Sequence, residues 1–530
     1  MARYKHYDYG QMKMLPVSFA AQILPGTFEY TVNELVDHDI DLSVFEARYQ
    51  NDETGAPAYD PAIVLKVILC AYARGVSSSR RIEQLCRENV VFMALSADSS
   101  PHFTTIAGFI SSLEREIVEI FRDVLLVCDE AGLIGREMFA IDGVKLPSNA
   151  SKSWSGTRED FGRKAKKMEQ AVRYLVKRHR EADEAGEQGS IQKARERQIQ
   201  TLKRAKKKLK EWLAANDDKL GASGTALKSN LTDNDSAKMK CSKGVIQGYD
   251  GVTVTDAKRQ VVVQAQAYGE AQEHAVLVPM LAGTQALFRR LGDKNIWEEA
   301  SVAADSGFHT EANVRYLYEQ GIDGYLADHL FRKRDPRFAG AQRHKPQARP
   351  NPLRQFLPRD FAYDPQSSTC ICPAGQFLYR NGGRVRIGGR IGVKFTGAKR
   401  VCGPCALRER CLRHPQRTPV RQVVFFTGRS AHGKSPTWTA RMKAKIDTEH
   451  GRHQYGRRLA VAEPVFGHIC YAKGLRRFSL RGKTKVNTQW LLFCLVHNIA
   501  KVQRYAPPGW RTRRRRHPKA AKATARRESR

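Results

Sequence analysis

Ser301-Val-Ala-Ala-Asp-Ser-Gly-Phe-His309 is the stretch whose reading decides the fold. A short apolar run ends in Asp305, and a glycine follows two residues later. From Thr310 the apolar positions Val314, Leu317 and Tyr318 take helical spacing. The pattern predicts a buried strand, a tight turn and a helix, with a carboxylate at the strand's C-terminal edge. A helix cap or turn uses an acid in the same place. Glu137-Met-Phe-Ala-Ile-Asp142-Gly143 repeats the pattern, an apolar run closing on Asp-Gly. A third acid, Glu463, stands in the helical stretch Leu459-Ala-Val-Ala-Glu-Pro-Val-Phe-Gly467.

Between the first two acids, residues 245–255 and 260–268 are β-branched and alternate, separated by Asp256-Ala-Lys-Arg. That is a hairpin pattern. A helix follows over about 271–291, then the Asp305 strand and its helix, and a short strand at 324–328. Two helices, 455–472 and 484–505, close the pattern. This order predicts an α/β catalytic region over 137–505: an RNase H-like mixed sheet with helices on both faces.

An all-α region precedes it, over residues 1–136. Asp60-Pro61 supplies an N-cap and a proline at the first helical position. Ile63, Val64, Val67, Ile68 and Ala71 continue at helical spacing, and Gly75 stops the run. Ser77 to Ser79 can cap a second helix, with Arg80 and Arg81 at its start. A third runs from Thr104 or Thr105 to Leu125. Three short helices with two arginines at a helix start suit either a helix-turn-helix-like DNA-binding unit or a plain packing domain.

Two insertions interrupt the α/β pattern. Over 158–216 the chain turns to Lys, Arg, Glu, Gln and Ala with sparse apolar positions, which predicts a charged helical hairpin. Its lysine-rich second arm is either a solvated face or a contact for the DNA backbone. Over 331–447 the chain is rich in Arg, Gly and Pro, and carries Cys370, Cys372, Cys402, Cys405 and Cys411. Cys-x-Cys, Cys-x-x-Cys and a further cysteine can give four thiolates to a structural Zn²⁺, with His414 able to replace one; reduced structural thiols are the other reading. Residues 506–530 are strongly basic and have little to bury, so a disordered tail is expected there.

A formal charge of +36 points to a polyanionic partner. The absence of a bilayer-length apolar run or an apolar leader excludes a membrane span and a secretory signal, leaving a cytoplasmic protein with nucleic acid as its partner. Three acids converging at one sheet edge repel each other unless cations join them, and hard oxygen ligands suit two Mg²⁺ or Mn²⁺ ions.

The chain resembles a bacterial insertion-sequence transposase of the DDE class. The resemblance rests on Ala140-Ile-Asp142-Gly-Val-Lys145, Ala304-Asp305-Ser-Gly-Phe-His309, Glu463-Pro-Val-Phe-Gly467, Phe478-Ser-Leu-Arg-Gly482 and Asn498. The helical first region and the Cys-rich insert add to it. It implies that Asp142, Asp305 and Glu463 are the metal-binding catalytic triad. It makes Tyr455, Arg458 and Lys473 candidates for DNA contact, although their spacing to Glu463 departs from the commonest pattern. It further implies cleavage and strand transfer on double-stranded DNA, at terminal inverted repeats and a target, by at least a dimer associated with the bacterial nucleoid. A stand-alone nuclease of the same fold and an inactive transposase-derived DNA-binding protein are the competing readings.

Overall fold

The computed structural model describes residues 16–49, 57–184, 189–221, 224–241, 244–338, 340, 355–387, 390–429 and 437–507. The basic tail expected over 506–530 lies almost wholly outside the described residues. Described residues up to Phe331 and from Trp438 form one compact unit, and those of Arg332–Thr437 form a second. No helix among the described residues is long and apolar enough to cross a membrane.

Among the described residues the first unit begins with the α-helices α1 (Phe28–His38), α2 (Pro61–Ala73), α3 (Ser79–Glu88), α4 (Val90–Leu95), α5 (Phe103–Ser112) and α6 (Glu116–Glu130). Asp60 caps α2 by accepting a hydrogen bond from the Ala62 N–H at 2.8 Å, ahead of Pro61. Strand β1 (Met138–Pro147) follows, then two long helices, α7 (Arg158–Glu184) and α8 (Ser190–Ala215). Phe161 and Trp212 pack edge to face at 4.7 Å between α7 and α8, and most other positions stay exposed.

The sheet is completed by β2 (Ala237–Cys241), β3 (Gly244–Asp256), β4 (Val262–Tyr268), then helix α9 (Leu277–Arg290), β5 (Ser301–Ala304), α10 (Glu311–Glu319) and β6 (Asp323–Leu326). The strand order is β6-β5-β1-β3-β2, with β4 paired to β3. β1 lies parallel to β5 and antiparallel to β3. The sheet is therefore mixed, and the chain is a mixed α/β protein. Strand β2 had no signal in the sequence reading.

Three helices complete the unit: α11 (Trp438–Ile446), α12 (Glu449–Gly467) and α13 (Lys483–Tyr505). Helix α11 falls inside the stretch expected to be the Cys-rich insert, yet groups with the first unit. Helices cover both faces of the sheet. Gly251 leaves room for the fully buried indole of Trp490 on α13; a Cβ there would stand 2.9 Å from the ring. A Cβ on Gly283 of α9 would stand 2.3 Å from Gln264 Nε2, and Gln264 pairs with Val254. Alternation puts positions 251 and 254 on opposite faces.

α13 joins sheet and helices into one core. The Asn498 carboxamide accepts from the Val262 N–H at 2.9 Å and donates to the Val262 carbonyl at 2.8 Å, mimicking a neighbouring strand along β4. On the other side, Phe493 packs on Tyr72 of α2 at 4.8 Å. Buried residues of α1 to α6 and of the sheet thus belong to the same hydrophobic cluster.

Candidate active site

The parallel register of β1 and β5 matches Ile141 with Ala304. The next residue on each strand is an acid, so Asp142 and Asp305 leave the sheet side by side. Asp142 points to the face covered by α12, where Ala140 packs on Val461 and Ala462. Arg458 of α12, which is 8% exposed, donates from Nη1 to Asp142 Oδ2 at 2.5 Å. Burial pushes the Asp142 carboxyl up to about 6; Arg458 opposes that rise and the Asp305 charge adds to it. Burial also raises Asp305, helped by Glu273 and opposed by the Gly307 N–H, Arg458 and Lys145. Asp305 serves its turn as well, since its Oδ1 accepts from the Gly307 N–H at 2.7 Å.

A second pair of acids stands on the α9 side of the sheet. Lys145 and Asp250 face each other in the β1–β3 register. Lys145 Nζ lies 2.8 Å from Oε1 of Glu273, in the loop before α9. Burial pushes Asp250 well above the usual carboxylate range, and a hydrogen bond with Glu273 adds to the rise. Asp250 is 1% exposed, and its Oδ1 has no hydrogen-bond partner.

Two glycines let the pairs approach each other. A Cβ on Gly143 would stand 2.7 Å from Asp250 Oδ1. A Cβ on Gly307 would stand 2.1 Å from Glu273 Oε2 and 3.0 Å from Asp305 Oδ1. Glu273 and Asp305 therefore approach to within the sum of those two distances. The glycines of the Asp-Gly and Asp-Ser-Gly motifs are needed for space rather than for backbone conformation, since neither has a positive φ. Gly307→Ala would displace the mobile end of Glu273 rather than the backbone. It is expected to leave the melting temperature near that of the unaltered chain and to slow the reaction at this site about 10–100-fold, the usual scale for partners that orient a site. An unchanged rate would show that the position of Glu273 is immaterial.

The sequence reading missed Asp250 and Glu273. Asp250 is a lone acid inside a β-branched strand, which is a usable signal for a paired or functional group. Glu273 precedes a helix and reads as an ordinary first-turn acid.

The remaining candidates are placed as follows. Glu463 is exposed on α12, while Arg458, Val461, Ala462 and Val465 of the same helix are buried. The structure thus brings together two of the three acids and sets Arg458, rather than Glu463, against Asp142. Pro464 lies inside α12, and a five-residue π-turn, His468–Ala472, continues the helix. Such turns recur where a helix is locally strained or functional. Tyr455 packs on Phe331 at 5.0 Å, and the Arg458 guanidinium lies 5.7 Å from its ring. Lys473 sits over Phe28 at 5.3 Å, where burial lowers its pKa. Arg80 and Arg81 are exposed on α3; Arg80 lies over Phe103 at 4.8 Å, and Arg81 bonds Gln84. In the second unit, Cys370 is fully buried in the core, while Cys372, Cys402, Cys405 and Cys411 line a cavity.

No curated protein matches the chain. Residues 371–503 match a family model described as Transposase DDE domain. That match includes Glu463, its helix and four of the five insert cysteines, but stops short of Asp142 and Asp305. Residues 17–112, which hold α1 to α5, match a model described as Transposase domain (DUF772). Two transposase matches in one chain, flanking a sheet that sets Asp142 beside Asp305, support an insertion-sequence DDE transposase.

Proposed function

We propose that this protein cleaves DNA at the ends of its own mobile element and joins those ends to target DNA, on an RNase H-like sheet. The observation that carries the reading is the pairing of Asp142 and Asp305 at adjacent strand ends, in a chain with transposase matches on both sides. Residues 1–136 are assigned to end recognition, through Arg80 and Arg81 among others. Residues 137–505 are assigned to catalysis, with the hairpin 158–216 and the Cys-rich stretch 331–447 as insertions and 506–530 as a basic tail. The exposed lysines Lys203, Lys207, Lys208 and Lys210 of α8 suit phosphate contacts.

The donor set fits hard divalent ions, because carboxylate oxygens are their preferred ligands and the β1–β5 register presents the largely buried Asp142 and Asp305 at adjacent strand ends. Among the described residues, no group of three His, Cys, Asp or Glu yet stands close enough to hold an ion. Asp142 and Asp305 would supply two ligands and Glu463 the third. Two Mg²⁺ or Mn²⁺ ions there would activate the attacking oxygen and stabilise the leaving oxygen of an in-line displacement at phosphorus. The protein's own part is positioning: Arg458 orients Asp142, Lys145 holds Glu273, and Tyr455 and Lys473 are candidates for strand contact. Hydrolysis frees a 3′-hydroxyl at each end, and that hydroxyl then displaces a strand at a target phosphate. One triad cannot serve two ends at once, so at least a dimer assembles on DNA.

The exposure of Glu463 favours a second reading, a DNA-binding descendant that no longer cuts. A strand-cleavage and joining assay with Mg²⁺ or Mn²⁺ separates these readings. Transposition predicts nicks confined to duplexes carrying the element's ends, followed by joined products. Equal cutting of any duplex indicates a nuclease, and end binding without cutting indicates the inactive descendant.

A further inference from the structure

The second unit has a small core. Among the described residues its strands are β7 (Ala362–Asp364), β8 (Thr369–Ile371), β9 (Phe377–Arg380), β10 (Val385–Ile387), β11 (Arg390–Thr396) and β12 (Gln422–Arg429). They bury Phe361, Cys370, Leu378, Val393, Phe395 and Val423 as one cluster. The stretch from Ala398 to Arg421 adds only two four-residue helices, Lys399–Cys402 and Arg408–Cys411. So few apolar side chains leave these loops in need of another constraint.

The cysteines divide into two kinds. Cys370 lies opposite Leu378 in the β8–β9 register, is fully buried and belongs to the core. Two residues on, Cys372 opens a tight turn: its N–H donates to the Gln376 carbonyl, and its own carbonyl accepts from the Gly375 N–H. Gly375 takes a φ of 74° there, a conformation that favours glycine. Cys402 ends one short helix, Cys405 follows after Gly-Pro, and Cys411 ends the other helix. All four of these cysteines line a single cavity of about 40 Å³. Cys372, Cys402 and Cys405 all lie close enough to Cys411 for their charges to act on its thiol. His414 is exposed and is not on the cavity wall, so it is not a substitute ligand.

Two arginines fix the backbone that carries these thiols. Arg408 donates to the carbonyls of Cys402 at 2.7 Å, Pro415 at 2.7 Å and Thr418 at 2.9 Å. Arg421 donates to the carbonyls of Cys411 at 3.0 Å and Phe356 at 2.9 Å. Four thiolates around one Zn²⁺ leave a double negative charge, and these two guanidiniums offset it.

We propose that Cys372, Cys402, Cys405 and Cys411 bind one structural Zn²⁺, and that Cys370 takes no part. Among the described residues no three such side chains already stand at ligand distance. Binding one ion would therefore require the four sulfurs to turn inward from the cavity wall. The inference does not depend on the role given to Asp142 and Asp305.

The test uses the full chain, purified under reducing conditions without chelator. Elemental analysis should find about one zinc per chain. Exchange for Co²⁺ should give the intense visible bands of a tetrahedral site and a strong near-ultraviolet thiolate-to-cobalt band. Cys370→Ser should keep the metal and this spectrum, while Cys402→Ser and Cys405→Ser should lose both. If those two variants fail to fold, the spectrum of the unaltered chain and of Cys370→Ser still decides. The proposal is overturned if the unaltered chain holds no zinc and gives no thiolate band with Co²⁺. It is equally overturned if Cys370→Ser remains folded and loses the metal.

Discussion

Asp305→Asn is expected to reduce strand cleavage on the order of 10,000-fold, the scale seen when one member of a catalytic unit is removed. Folding should hardly change. The hydrogen bond that Asp305 makes in its turn comes from the Gly307 N–H, and an asparagine oxygen can accept it equally well. The substitution therefore separates the two roles an acid can have at the end of a strand. An acid needed only for the turn is replaced by asparagine with little loss. An acid needed as an anionic ligand is not. Asp142→Asn should be as severe, and the double variant little worse than either, because groups acting as one unit are not additive. Glu463→Gln alters an exposed side chain, so a matching loss of cleavage without loss of stability would show that Glu463 joins the site when DNA is bound. Near-normal cleavage by Asp305→Asn, measured on end-bearing duplex with Mg²⁺, would remove the catalytic role assigned to the pair.

Arg458→Met should have the largest effect on stability. Arg458 is buried, and it is the cation bonded to Asp142 beside a second acid. Removing one partner of a buried ion pair costs about 3–5 kcal/mol, because the other charge is left uncompensated. Here the cost should depend on pH. The folded-state pKa of Asp142 is already raised to about 6, and losing Arg458 raises it further. A carboxyl raised on folding is unpenalised below its unfolded pKa, where both states are protonated. The penalty grows as pH rises through the folded value. Urea unfolding should therefore show a small loss near about pH 4 and the full loss near about pH 8. Adding Asp142→Asn should recover part of the loss at the higher pH. Equal destabilisation at both pH values, or simple additivity of the two substitutions, would mean that Arg458 stabilises the fold by packing alone.

Local sequence determined much of this fold. Ser301–Ala304 is a strand because it is short, apolar and closed by Asp-Ser-Gly, and α10 starts after Thr310, whose side chain accepts from the Asn313 N–H. The β3–β4 hairpin, the α7–α8 hairpin and the Asp60–Pro61 start of α2 were legible for the same reason. Their period, turn and cap signals lie within a dozen or so residues. That Asp142 and Asp305 are neighbours was expected from the order of elements, and the parallel β1–β5 register gives it. Only the tertiary structure decided what surrounds that pair. Arg458 and Asp142 are 316 positions apart, and no local pattern says which residue of a helical turn will face the sheet. Burial of Arg458, Val461, Ala462 and Val465 turned Glu463 to the exposed flank of α12. Asp250 and Glu273 come together because Asp250 pairs with Tyr268 at the end of β4, from which the chain turns into the loop before α9, with Gly143 and Gly307 leaving room for them. The division of the cysteines has the same origin. Cys370 and Cys372 read alike in sequence, but strand pairing turns Cys370 into the core, and the turn at Gly375 leaves Cys372 on the cavity wall with Cys402, Cys405 and Cys411.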